Sequence, residues 1–152
     1  MSNYSLLEEK IKSAESILIV THVNPDGDAL GAEIAVKNVL KNKFNKSSDA
    51  VLIGRFPEVY NYLPSKDELI DLGDFDTGKI YDLAIAVDLA SLDRLCGVEK
   101  TYENAKFKVN IDHHKTNIKY GNITFVDGNA SSTGEVLYKI FENINNYMKK
   151  LL

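Results

Sequence analysis

Residues 17–40, ILIVTHVNPDGDALGAEIAVKNVL, decide the fold. ILIV (17–20) is short, continuous and mostly β-branched, as in a strand buried on both faces. THVNPDGD (21–28) follows and is dense in turn residues. From Ala29 to Phe44 the apolar residues Leu30, Ile34, Ala35, Val39 and Leu40 recur at helical spacing. A buried strand, a polar turn and an amphipathic helix in direct succession is the local order of an α/β domain.

The flanking sequence repeats that order. AVLI (50–53), LAIAV (83–87) and FKVNI (107–111) read as further buried strands, and ITFV (123–126) as a short one. RFPEVYNYLPSKDE (55–68) reads as a loop with a short helix, and the acids of DLGDFD (71–76), with Asp82 and Asp93, as solvated loop charges. Upstream, Leu7, Ile11 and Ala14 share one helical face. Downstream, SSTGEVLYKIFENINNYM (131–148) carries an apolar stripe of Leu137, Ile140, Phe141, Ile144 and Met148. Ser131 or Ser132 caps this helix, with Glu135 placed as in a capping box. The expectation is a three-layer α/β domain with a mostly parallel sheet flanked by helices. Rossmann-like winding fits, but there is no G-x-G-x-x-G, and the acids of DGDALG make a poor pyrophosphate cradle.

Composition bounds the function. The 152 residues suffice for one domain, with 44% hydrophobic and 26% charged residues. A net charge of -4 and a pI near 5.4 argue against coating nucleic acid or an anionic membrane by bulk charge. A small phosphate substrate at a local site remains compatible. The single cysteine, Cys96, excludes an intrachain disulfide framework. The N-terminal MSNYSLLEEKIKSAES has no signal-peptide core, and no apolar run is long enough to span a bilayer. A cytoplasmic protein is expected.

Polar residues gather where the buried strands end. The first runs into His22, Asp26 and Asp28, the third into Asp88, the fourth into Asp112, His113 and His114. In a parallel sheet all carboxyl ends share one edge, where ligands bind. Four carboxylates and three imidazoles on that edge call for a positive partner. Oxygen and imidazole donors without thiolate suit Mn²⁺, Mg²⁺, Fe²⁺ or Zn²⁺. Two ions roughly 3.5–4 Å apart, sharing one aspartate, would use the whole set, and such a pair clamps both oxygens of a phosphoryl hydrolysis. Each residue also has a bland explanation. Asp26 and Asp28 suit a helix N-terminus, Asp88 a turn, His22 a core position and the paired histidines a surface. It is their joint occurrence at successive strand ends that favours a site.

HVNPDGDALGA (22–32), AVDLA (86–90), IDHHKTN (111–117) and NASSTGEVLY (129–138) resemble, in this order, the successive motifs of the DHH phosphoesterase superfamily. FPEVYNYLP (56–64) and SLDRLCG (91–97) resemble its nanoRNase and pAp phosphatase subgroup, which degrades very short oligonucleotides and dephosphorylates 3'-phosphoadenosine 5'-phosphate. The likeness covers nearly the whole chain. It implies a Rossmann-like DHH domain and two Mn²⁺ ions, with Mg²⁺ or another divalent ion as substitutes. His22 and Asp26 would hold the first ion, Asp28 and His113 the second, and Asp88 would bridge them. His114 would contact the substrate phosphate, so Asp88 and His114 are the residues expected at the chemistry. Asp112 would orient a neighbouring histidine. Arg94 and the helix start at Ser131, Ser132 and Thr133 would meet phosphate.

The resemblance also implies what partners to expect: a short oligonucleotide or nucleotide phosphate as substrate, no membrane and no bulk duplex nucleic acid, with a homodimer open. The family's domain continues past the SSTGEVLY helix, with a further aspartate ligand on another strand and then a smaller substrate-binding domain. Residues 1–152 are therefore expected to be a catalytic domain fragment. Competing expectations are a cyclic-dinucleotide phosphodiesterase, a pyrophosphatase or exopolyphosphatase, and a metal- or nucleotide-binding module with little activity.

Overall fold

This computed structural model describes residues 1–151, with side chains for residues 1–145, so Met148 of the expected apolar stripe lies outside the described side chains. In chain order the elements are α1 (Asn3–Ser13), β1 (Ile17–Val20), α2 (Gly27–Phe44), β2 (Asp49–Leu52), β3 (Ile70–Asp71), β4 (Leu83–Val87), α3 (Glu99–Glu103), β5 (Phe107–Asp112), β6 (Ile123–Val126) and α4 (Thr133–Leu151). Short 3-10 turns fill the loops after β2, β3 and β4.

The strands form one sheet in the order β3-β2-β1-β4-β5-β6, and every pairing is parallel. The central strands are apolar along their whole length because both faces are covered. Ile17 and Ile19 face a core that includes Leu7 and Ile11 of α1, Val36 and Leu40 of α2, and Leu137 and Ile140 of α4. Leu18 and Val20 face a second core with Tyr81, Leu95 and Tyr102. The layers are thus α1, α2 and α4 on one face, and α3 with irregular chain on the other.

Two expectations shift. Asp71, the first residue of DLGDFD, ends the edge strand β3, and Leu72–Asp74 form a 3-10 turn, so the segment is more than loop charges. On α2, Ala35 is exposed and Val39 half-buried, while Ala32, Glu33 and Val36 are buried beside Leu30, Ile34 and Leu40. The helix touches α1 and α4 as well as the sheet, so its buried face is wider than one stripe.

The strand order runs outward from β1 to β3 on one side and from β4 to β6 on the other. The reversal lies between β1 and β4, and it is beyond the carboxyl ends at such a reversal that open parallel sheets bind ligands. The segments after β1, β4 and β5 all start from that edge. Among the described residues no helix is long and apolar enough to cross a membrane.

Candidate metal centre

The turn after β1 is built from both sides. Val23 N–H donates to the Arg94 carbonyl at 2.9 Å, and Asn24 N–H to the Ile53 carbonyl at 2.8 Å. Asn24 is left-handed at φ 50, and its side-chain oxygen accepts from Arg55 N–H at 3.2 Å. Gly54 beside it has φ 88, and a Cβ there would collide with the Asn24 amide, so glycine is required. Asp26 then caps α2, its Oδ1 accepting from Ala29 N–H at 3.0 Å. The capping explanation is thus correct, yet the same Oδ1 lies 3.9 Å from His22 Nε2.

Asp88 follows β4 in a left-handed conformation, φ 53, which costs a non-glycine residue about 1–3 kcal/mol and persists only where its surroundings enforce it. They do. Its N–H donates to the Ile111 carbonyl. The next carbonyl, of Leu89, accepts from Tyr120 Oη at 2.7 Å and from the Asn110 and Asn117 amides at 3.2 Å. The Asp88 side chain is only 2% exposed and divides its oxygens. Oδ2 lies 3.6 Å from His22 Nε2, and Oδ1 lies 3.7 Å from His113 Nε2 and 3.8 Å from His114 Nδ1.

The three imidazoles use the same nitrogen for the protein. Nδ1 of His22 lies 3.0 Å from the Val23 carbonyl, Nδ1 of His113 3.3 Å from the Ala130 carbonyl, and Nδ1 of His114 2.6 Å from Asp112 Oδ1. Each partner is an acceptor, so each Nδ1 carries the proton and each Nε2 keeps a lone pair. For His22 and His113, whose Nε2 faces Asp88, this is the arrangement by which proteins orient imidazoles toward a metal, whereas His114 turns Nδ1 toward Asp88. Arg94 Nη2, which can only donate, lies 3.3 Å from His22 Nδ1 and competes there with the nearer Val23 carbonyl.

Asp112 is fully buried. It accepts from His114 Nδ1, from His113 N–H at 2.9 Å and from the Asn117 amide at 2.7 Å. The histidine it orients is His114. Asp28 lies 3.4 Å from His113 Nε2, and both its oxygens also receive the start of α4, from Thr133 N–H at 2.9 Å and Gly134 N–H at 3.2 Å. Those two N–H groups are therefore directed at Asp28. Ser132 Oγ accepts from Glu135 N–H, and Glu135 accepts from Ser131 N–H and hydroxyl. The capping box is thus shared between the two serines, and the groups expected to meet phosphate have protein partners.

Two groups of donors emerge, His22 with Asp26 and Asp88, and Asp88 with His113 and His114. Each has its ligand atoms within 4.8 Å of one another. These groups shift one another's titration. His22 is held above its ordinary pKa by contact with Asp88, partly offset by burial. Burial alone would raise Asp88, but contacts from His22 and Thr133 and the His114 charge bring it below the usual range. Burial raises Asp28, against the pull of the α4 N–H groups. Acids and imidazoles compete here for positive charge, and the free Nε2 lone pairs with carboxylate oxygens fit a divalent ion.

Sequence reading passed over Asn117, Tyr120 and Tyr60. Asn117 stands in the quoted IDHHKTN, close enough in sequence to suspect. The Tyr60 ring lies against the start of α2, its hydroxyl 3.0 Å from where a Gly27 Cβ would be.

A parallel α/β sheet with histidines and aspartates converging at its switch point defines the class. The profile of the DHH family, N-terminal domain, matches residues 16–152, and the chain belongs to this family. It is 31% identical over 139 residues to a probable bifunctional oligoribonuclease and PAP phosphatase NrnA from Streptococcus mutans, covering 90% of this chain and 42% of that protein. The NrnA of Thermus thermophilus is 30% identical over 139 residues, 90% of this chain and 40% of the relative. The fold is that of an exopolyphosphatase-related protein from Bacteroides fragilis, with a TM-score of 0.84 at 22% identity, covering 93% of this chain and 43% of that one. The chain spans about two fifths of the length of these relatives.

Proposed function

We propose that this domain is a divalent-metal-dependent phosphoesterase acting on short oligonucleotides or nucleotide phosphates. The observation that carries the reading is the divided Asp88 carboxylate, one oxygen toward His22 and the other toward His113 and His114. Membership of the DHH family and the names of its relatives support the substrate class. His22 and Asp26 would hold one ion, His113 and Asp28 a second, and Asp88 would serve both. Mn²⁺ is the metal we assign. Bound there, a pair of divalent ions supplies water activation at neutral pH and neutralises phosphate charge.

The chain's own contribution is orientation. The Val23 and Ala130 carbonyls and Asp112 hold the Nδ1 protons, so that Nε2 of each histidine points outward from its partner. His114, 42% exposed in its side chain and braced by Asp112, is placed to hydrogen-bond a substrate phosphate. Arg94 stands beside His22 as a surface cation for the same anion.

The test is hydrolysis with and without Mn²⁺ of a linear dinucleotide, 3'-phosphoadenosine 5'-phosphate, a cyclic dinucleotide and pyrophosphate. Turnover of the dinucleotide or 3'-phosphoadenosine 5'-phosphate, abolished in a folded Asp88→Asn variant, is expected. Preference for the cyclic dinucleotide or pyrophosphate would reassign the substrate. Equal turnover by Asp88→Asn would sink the reading. Mn²⁺ binding without turnover would favour a binding role for these residues or place further determinants outside them.

A further inference from the structure

Thr133 is the first residue of α4 and is fully buried, although α4 carries none of the groups assigned to the ions. Its hydroxyl donates to Asp88 Oδ1 at 2.8 Å, and its N–H to Asp28 Oδ2 at 2.9 Å. One residue thus grips two carboxylates from segments 45 and 105 positions away in sequence. We propose that Thr133 is a positioning residue of the metal centre, fixing the rotation of the Asp88 carboxylate so that its two oxygens stay divided between the two histidine groups. The inference rests on the phosphoesterase reading and adds a residue to it.

The physical case is one of degrees of freedom. A carboxylate turns easily about its last torsion, and burial of Asp88 does not by itself select an angle. The neighbouring imidazole nitrogens are 3.6–3.8 Å from its oxygens, beyond hydrogen-bond reach. The Thr133 hydroxyl makes the one side-chain hydrogen bond to Asp88 among the described residues. Each carboxylate oxygen offers about two lone-pair directions, so the hydroxyl occupies one on Oδ1 and leaves another for an ion. Threonine suits the task because its β-branch stiffens χ1, and its own backbone is pinned to Asp28. The bond also locks the start of α4 to the switch point of the sheet.

The test compares Thr133→Val, which keeps the shape and removes the hydroxyl, with Thr133→Ser, which keeps the hydroxyl. Mn²⁺ affinity is measured by calorimetry, with the loss of free-ion Mn²⁺ signal in electron paramagnetic resonance as a second readout, and circular dichroism reports the fold. Removing such an outer partner of a ligand typically costs about 10–100-fold in metal affinity, so Thr133→Val should bind Mn²⁺ at least about tenfold more weakly, and Thr133→Ser should return close to wild type. Wild-type affinity in Thr133→Val would overturn the proposal, as would a folded Thr133→Ser as weak as the valine variant. If Thr133→Val fails to fold, Thr133→Ser alone decides: near-wild-type affinity supports the role of the hydroxyl and weak binding overturns it. Wild-type protein that binds no Mn²⁺ at all would instead remove the phosphoesterase reading on which this one stands.

Discussion

Asp112 and Glu33 are both acids with no exposed surface, and they behave in opposite ways. Asp112 accepts from three donors, the His113 N–H, His114 Nδ1 and the Asn117 amide. Glu33, on the inner side of α2, has no hydrogen-bond partner on either oxygen. Asp112 ends a strand, where the following loop can fold its donors back over the side chain. Glu33 lies mid-helix, where the nearby N–H groups of α2 are spent on the helix itself. Burial pushes the Glu33 carboxyl well above its ordinary value, and the Val51 backbone and the Lys37 charge pull back only in part. Burial alone therefore does not say what an acid is for. The donors around it do.

Removing Asp112 should have the largest effect. In Asp112→Leu three donors lose their acceptor; an orphaned donor costs about 1–3 kcal/mol where water cannot reach it and less at the half-exposed His114, so about 2 kcal/mol of stability should go. His114 would also lose the brace on its Nδ1, and phosphate-ester turnover should fall with it. Urea denaturation and the activity panel measure the two losses. A variant within about 0.5 kcal/mol of wild type, the range of ordinary surface substitutions, would mean that the donors find water and that the contrast with Glu33 is empty.

The same contrast marks how far the sequence could be read. ILIV and LAIAV became strands at their expected limits, because continuous apolar runs report local burial on both faces. His22, Asp88 and His113 could be placed on one edge because parallel topology brings carboxyl ends together. Glu33 was invisible, since a glutamate in an amphipathic helix reads as solvent-facing and only the packing of α2 against its neighbours buries it. The helix start at Thr133 reads in sequence as a phosphate contact, and its bond to Asp88 is not legible there, because that contact depends on how α4 docks. Tyr60 meets Gly27 through the missing Cβ, a steric fact that exists only once both loops are placed. Asp82, taken as a solvated loop charge, in fact accepts from Glu15 and Ser16 N–H and from Lys106.

Glu33→Met tests the other half of the comparison. It replaces an unsatisfied buried carboxyl by an apolar chain of similar reach and should raise stability by about 1–3 kcal/mol. The gain should depend on pH. A carboxyl whose folded pKa is raised holds more protons folded than unfolded in the window above the ordinary value of 4.5. Wild-type stability therefore falls as pH rises through that window, and the methionine variant should not share this loss. Denaturation at pH 5 and pH 8 should show its advantage growing with pH. An advantage that shrinks toward pH 8 would mean Glu33 is stabilised as the anion by groups that do not hydrogen-bond to it.

Asp82 separates the two variables, since it has donors but is not buried like the others. Its Oδ2 accepts from Glu15 N–H at 2.9 Å and Ser16 N–H at 3.2 Å, and its Oδ1 from Lys106 Nζ at 2.7 Å, with 27% of the side chain exposed. The Lys106 contact and the Glu15 N–H hold the carboxyl down at about 2, from an ordinary 3.8. Between those values the unfolded chain binds more protons, so the contribution of Asp82 is complete above about pH 4 and fades as pH falls toward 2. Asp82→Ala should therefore cost stability at pH 7, lose part of that cost by pH 3, and cost less throughout than Asp112→Leu, because water can replace the lost acceptor at this surface. An equal cost at the two sites would show that the number of donors, and not their removal from water, sets the price of losing an acid in this fold.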